Sequence, residues 1–184
     1  MRRILVPVLT ALSLALAACA PPYSAYLDPG QNVPYTLASG DRLRVIVYGQ
    51  DTLSNSYAVD GSGHIQMPLI GLVEAGGKTT SALAADIAER LRDGFLRDPQ
   101  VSVEVEAYRP FFVLGEVTTP GQYPYVNGMN AETAVAIAGG FTPRANKDTV
   151  SLTRVYHGMQ ITGQVPIRHP VQPGDTIVVG ERFF

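Results

Sequence analysis

Glycine and proline interrupt this chain so often that long regular elements are excluded. Its 184 residues include 18 Gly and 14 Pro. Glycine tolerates the backbone angles of tight turns, and proline fixes φ and removes a backbone donor. Short strands joined by turns are therefore expected, with short helices between them. Hydrophobic residues make up 46% and charged residues 16%, a balance that suits a folded core rather than a disordered coil. The length accommodates one or two small domains.

The N-terminal stretch breaks this pattern. After Met1-Arg2-Arg3, residues Ile4 to Ala18 carry no charge. This run falls short of the ~20 residues that span a bilayer but fits a secretion signal over 1–18. It ends in Leu16-Ala17-Ala18-Cys19, and Cys19 is the only cysteine, so an intrachain disulfide is excluded. The string resembles the bacterial lipobox. That resemblance implies diacylglycerol on the Cys19 sulfur and a third acyl chain on its freed amine, enough lipid for stable anchoring. Ala20 in place of Asp implies delivery to the outer membrane, facing the periplasm. The alternative is a plain signal cut near Ala18, with Cys19 incidental.

From Cys19 onward the chain keeps 12 basic and 16 acidic side chains, a net charge of −4. A weakly acidic chain without a Lys/Arg run offers no stripe for nucleic acid, and its field does not draw in polyanions. Residues 19–34 hold four prolines and read as an extended tether, reaching roughly 45 Å at ~3.1 Å per residue, or as a strap along the domain surface.

The first folded unit is expected over 35–109. Ser39-Gly40-Asp41 is a turn before a strand from Leu43 to Tyr48. Tyr57 to Val59 and His64 to Met67 flank the glycine-rich Asp60-Gly61-Ser62-Gly63, which predicts a hairpin. Leu72 to Glu74 is a further short strand. Thr79 predicts the N-cap of a helix to about Arg92, with Leu83, Ile87 and Leu91 on one apolar stripe. Asp98-Pro99 opens a strand in which Val101, Val103 and Val105 alternate with Ser102, Glu104 and Glu106.

The second unit is expected over 110–180, with 181–184 as a tail. Phe111 to Val117 is an apolar strand, turned by Thr119-Pro120-Gly121 and returned by Gln122 to Val126. Ala131 to Ala138 is a short helix closed by Gly139-Gly140. An alternating strand starts near Thr149, and its pattern slips at Arg154-Val155. Pro173-Gly174-Asp175 leads into Thr176 to Val179. Together these predict an α+β chain: a small mixed β domain with one helix, then a β-grasp-like domain. Gly40-Asp41 and Gly174-Asp175 each precede a strand, an echo too short to define a repeat.

Reactive constellations are missing from this pattern. Gly76-Gly77-Lys78-Thr79 ends like a phosphate loop, but Leu72 stands where its first glycine belongs. Gly61-Ser62-Gly63 lacks the spacing of a nucleophile elbow. His64, His157 and His169 have no metal-ligand spacing. Glu104 and Glu106 share one strand face, whereas a glycosidase pair flanks a sugar across a cleft. The 9 tyrosines suit half-buried strands, although their rings also stack on sugars.

Several strings resemble the Wza-type outer-membrane polysaccharide export family. Gly40-Asp41-Arg42-Leu43-Arg44-Val45, Asp60-Gly61-Ser62-Gly63, Pro68-Leu69-Ile70-Gly71 and Asp98-Pro99 look like its polysaccharide biosynthesis/export domain. Gly115, Pro120-Gly121, Gly139-Gly140-Phe141 and Pro173-Gly174-Asp175 look like its SLBB β-grasp domain. The resemblance implies structural roles for these glycines, prolines and aspartates. It implies a ring-shaped homo-oligomer around a polysaccharide cargo, fed by an inner-membrane polysaccharide co-polymerase. Bond-making chemistry, a cofactor and a metal are not implied. Long members add further β-grasp domains and a C-terminal amphipathic helix, which this sequence does not show. A separate outer-membrane barrel protein is therefore expected to supply the pore. The competing reading is a monomeric lipoprotein that binds glycan or regulates assembly. A glycan-modifying enzyme would need converging carboxylates.

Overall fold

The computed structural model describes residues 34–182 apart from His157. The expected signal segment, Cys19, almost all of the tether, His157, Phe183 and Phe184 lie outside the described residues.

The first domain is built around β1 (Arg42–Val47), which lies between β2 (Asn55–Ala58) and β5 (Val101–Ala107) in an antiparallel sheet. Alternation on β1 buries Leu43, Val45 and Val47 on one face and leaves Arg42 and Arg44 on the other. A separate ribbon joins β3 (His64–Met67) to β4 (Gly71–Glu74). Helix α1 (Thr80–Arg92) has Thr79 as its N-cap, whose hydroxyl accepts from the Ala82 N–H at 3.2 Å. Leu83, Ile87 and Leu91 are fully buried in the core that α1 shares with β1, β3 and β4.

The predicted hairpin of 57–59 with 64–67 does not form. β2 pairs with β1, and β3 pairs with β4. Tyr57 and Val59 bury with the three-stranded sheet, while the short 68–70 connection sets β4 beside β3. Asp60 N–H to His64 C=O, 2.8 Å, still closes the turn between the two sheets.

The second domain holds β6 (Phe111–Gly115), β7 (Gly121–Tyr123), α2 (Ala131–Ile137), β8 (Thr149–Tyr156), β9 (Met159–Pro166) and β10 (Thr176–Val179). The sheet order is β7-β6-β10-β8-β9, with β6 and β10 parallel and the other neighbours antiparallel. The first and last strands thus lie side by side near the centre, as in a β-grasp module. Ala131, Ala134 and Val135 of α2 pack on one face of this sheet with Phe111, Val113, Leu152 and Ile177. Each domain has its own apolar cluster, so the α+β reading holds with two cores. Residues 181 and 182 add to the second domain, where Arg182 N–H donates to the Arg144 C=O at 2.9 Å.

The slip read at Arg154 is not a slip. Arg154 is only 4% exposed and continues the buried face of Val150 and Leu152. The pattern misleads because a charged residue occupies a core position, with its charge answered by Asp175.

Candidate functional site at the domain junction

The two Gly–Asp strings fold alike. Gly40 and Gly174 have φ of 93° and 85°, the left-handed region that glycine occupies without cost. The N–H of the following Asp41 or Asp175 donates to the carbonyl three residues back, at 3.1 Å in both turns. Each carboxylate accepts from that same residue's N–H, Ala38 to Asp41 Oδ2 at 2.9 Å and Gln172 to Asp175 Oδ2 at 2.7 Å. Each Asp C=O then takes an N–H from the strand alongside, Val59 or Phe112, at 2.9 Å. The echo is therefore one structural device used twice.

Both carboxylates are buried, Asp41 at 0% and Asp175 at 1% exposure, and buried charge requires partners. Asp175 receives a two-pronged grip from Arg154, Nε to Oδ1 at 2.9 Å and Nη2 to Oδ2 at 2.8 Å. Arg154 Nη2 also donates to the Pro170 C=O at 3.1 Å. Such bidentate bonds are among the strongest polar contacts in proteins. Asp41 is held from the linker. The Arg109 N–H donates to Oδ1 at 2.9 Å, and the Tyr35 hydroxyl donates to Oδ2 at 2.6 Å. The same hydroxyl accepts from Arg109 Nη1 at 2.9 Å.

Arg109 brings the two turns together. A side chain at Gly40 would stand 3.3 Å from the Arg109 Cβ, and one at Gly174 would stand 2.7 Å from its Nε. The Gly174 N–H docks on the Pro110 C=O at 3.1 Å. Three rings line the same seam edge to face, Tyr35 with Tyr108 at 5.0 Å and Tyr108 with Tyr125 at 5.4 Å. Burial first, and the bond to Asp41 second, raise the Tyr35 pKa far above the usual phenol range. Burial also raises Tyr125. Asp41, Asp175, Arg109, Arg154 and Tyr35 are each tied to a neighbour, so these contacts fasten the two turns and the linker to one another.

The remaining family-motif residues are placed separately, mostly at turns. Asp60 Oδ1 accepts from the Ser62 and His64 N–H groups at 2.8 and 2.9 Å, and its pKa is lowered chiefly by the His64 N–H and then by the Ser62 hydroxyl. Gly61 lies at the exposed tip of this loop, and the Gly63 C=O takes the N–H groups of Ala75 and Gly76. Pro68 and Gly71 bound the β3–β4 turn, and Asp98 and buried Pro99 precede β5. Gly115 has φ of 85°, and a side chain there would overlap the Val179 carbonyl oxygen. Pro120 and Gly121 turn β6 into β7. Gly139 and Gly140 close α2, and the Gly140 N–H bonds to the Val135 C=O at 2.9 Å. Pro173 opens the second Gly–Asp turn.

Glu104 and Glu106 point outward from β5, and Glu106 takes a hydrogen bond from the Ser56 hydroxyl. A groove of about 560 Å³ between α1 and β5 carries Arg92 as its one ionisable lining side chain. Among the described residues no helix is long and apolar enough to cross a membrane, and no His/Cys/Asp/Glu cluster has the form of a metal site. Sequence reading missed Tyr35, Arg109 and Arg154. The available signal was a charged residue in phase with a buried strand face, which pointed to Arg154 alone.

The family model described as polysaccharide biosynthesis/export protein matches residues 29–106, and the SLBB domain matches 110–165. The exopolysaccharide production protein ExoF of Rhizobium meliloti is 40% identical over 118 residues, covering 58% of this chain and 28% of its own length. The EPS I polysaccharide export outer membrane protein EpsA of Ralstonia nicotianae is 28% identical, covering 80% of this chain and 45% of its own. The polysialic acid transport protein KpsD of Escherichia coli is 26% identical, covering 83% and 29%. The chain thus spans less than half the length of these relatives.

Proposed function

Because the chain belongs to the polysaccharide biosynthesis/export family, with an SLBB domain following the export domain, we propose that it is a periplasmic component of a capsule or exopolysaccharide export conduit. The family is one of transport components rather than enzymes. In this reading residues 1–18 are a removed signal, Cys19 carries lipid in the outer membrane, and 19–34 tether the two domains. Copies of the chain form a ring that lets the glycan pass or links its neighbours. An inner-membrane co-polymerase delivers the glycan, and a separate barrel protein supplies the outer-membrane pore.

The order of the two domains across one seam is the observation that carries this reading. A conduit wall needs its parts held in fixed orientation, and the Gly174 N–H bond to the Pro110 C=O and the Tyr108–Tyr125 ring contact tie the second domain to a linker that Asp41 and Tyr35 hold through Arg109. The test is deletion of the gene. Polysaccharide should still be synthesised but no longer released, and the intact gene should restore release. Normal release without the gene would overturn the proposal. The mass of the detergent-purified protein separates a ring from the monomeric glycan-binding alternative. Replacing Cys19 with Ser should abolish labelling by radioactive fatty acid.

A further inference from the structure

The five-stranded sheet of the second domain buries one face under α2 and leaves the other uncovered among the described residues. Strand pairing sets the outward side chains in rows. One row runs Gln122, Phe112, Thr176, Thr153, Thr162 across all five strands. The next runs Leu114, Val178, Ser151, Gln164. Phe112, Leu114 and Val178 are 39%, 43% and 36% exposed. They adjoin one another on β6 and β10, while hydroxyl and amide groups lie on β8 and β9. Thr153 and Thr162 share a hydroxyl–hydroxyl bond of 2.8 Å.

Neither row contains a charged side chain. This is local, because the outward face of the first domain's sheet carries Arg42, Arg44, Glu104 and Glu106. The geometry points to this uncharged face as a binding surface for segments of an uncharged polysaccharide. The inference rests on the export reading and specifies where the chain touches its cargo and what class of cargo it takes.

Shape, charge and area select that occupant. A sugar ring has apolar C–H faces and a rim of hydroxyls, matching an aromatic and aliphatic platform flanked by groups that both donate and accept. An anionic glycan would find no cation in either row and would meet a net charge of −4 on the chain from Cys19 onward. Five strands at ~4.8 Å spacing, with the two rows covering about 13 Å along them, make a patch on the order of 20 Å by 13 Å, or roughly 260 Å², which accommodates a few sugar units but falls short of the roughly 800 Å² per partner of a stable protein interface.

The test uses the purified chain, with maltohexaose and cellohexaose as neutral probes and a hexamer of galacturonate as the anionic one. Amide NMR shifts should move saturably on β6, β8 and β10 with at least one neutral probe and not with the anionic one. Phe112→Ala and Thr153→Val leave the buried face intact, and each should weaken binding about fivefold, the loss of roughly one neutral contact or hydrogen bond. Shifts elsewhere, equal response to galacturonate, no response to either neutral probe, or concentration-dependent shifts of the face without sugar would each overturn the site. Both variants are also returned to the deletion strain. Restored release with binding lost would remove the site's role and leave the conduit standing. Failure of the unaltered gene to restore release would instead sink the export reading itself.

Discussion

Gly115 pairs with Val179 across the parallel strands β6 and β10. Its φ of 85° is costly for any other residue, and a Cβ there would run into the backbone oxygen of Val179 rather than a movable side chain. Gly115→Ala is therefore expected to lower stability by at least about 1–3 kcal/mol, the usual range for a strained backbone alone. A urea midpoint unchanged from the parent would contradict this. Asp175 and Arg154 make a second residue-scale case. Removing Asp175 leaves a guanidinium buried without its carboxylate, which costs about 3–5 kcal/mol in comparable pairs. Asp175→Ala should thus be strongly destabilising. The double variant with Arg154→Met should lose much less than the two single losses added, because no uncompensated charge remains. Denaturant unfolding of the four proteins measures that coupling, and simple additivity would show that the pair does not act as a unit.

Elements differ in how much of them could be read from the chain. Helix α1 was legible because its evidence is local: a threonine cap and leucine and isoleucine residues at a four-residue spacing, all buried as expected. Thr79→Ala should accordingly cost about 1 kcal/mol, with Thr79→Ser close to neutral, since the hydroxyl to the Ala82 N–H is what matters. Equal midpoints for all three proteins would argue that packing alone ends the helix. β2 and β3 were less legible. The loop between them carries every mark of a hairpin, but pairing is decided by distant partners, β1 for one and β4 for the other. β8 misled in another way. Periodicity arguments treat arginine as outward, and Arg154 points inward because Asp175, which lies 21 positions away, neutralises it. At the junction the Gly–Asp pairs were visible as strings. Their shared carboxylate geometry and their meeting at Arg109 depend on tertiary contacts that no spacing rule contains.

At the scale of the whole molecule, two cores with no common members are joined through residues 108–110. Two small domains on so short a linker would swing unless something braces them, and Arg109 is the brace. Arg109→Ala keeps its own N–H bond to Asp41 but loses the guanidinium's ion pair with Asp41, its contact with Tyr35 and the packing over Gly174. The two domains should then tumble with different correlation times in ¹⁵N relaxation, where the parent gives one; a single shared time in the variant would remove Arg109 from this role. Tyr35 supplies a pH readout of the same seam. Its pKa is raised in the folded chain, by burial first and by Asp41 second, so the folded protein holds its phenolic proton where the unfolded chain, with an ordinary value near ~10, releases it. Stability is therefore intact below about pH 10 and falls as pH climbs through the gap between the two values. Burial raises Tyr57 and Tyr125 as well, so Tyr35→Phe should make the alkaline decline shallower without abolishing it. Urea midpoints at pH 7, 10 and 11 measure the slope. If parent and variant declined in parallel, the Tyr35 hydroxyl would not be locked between Asp41 and Arg109, and the seam would have to be held by its ring contacts alone.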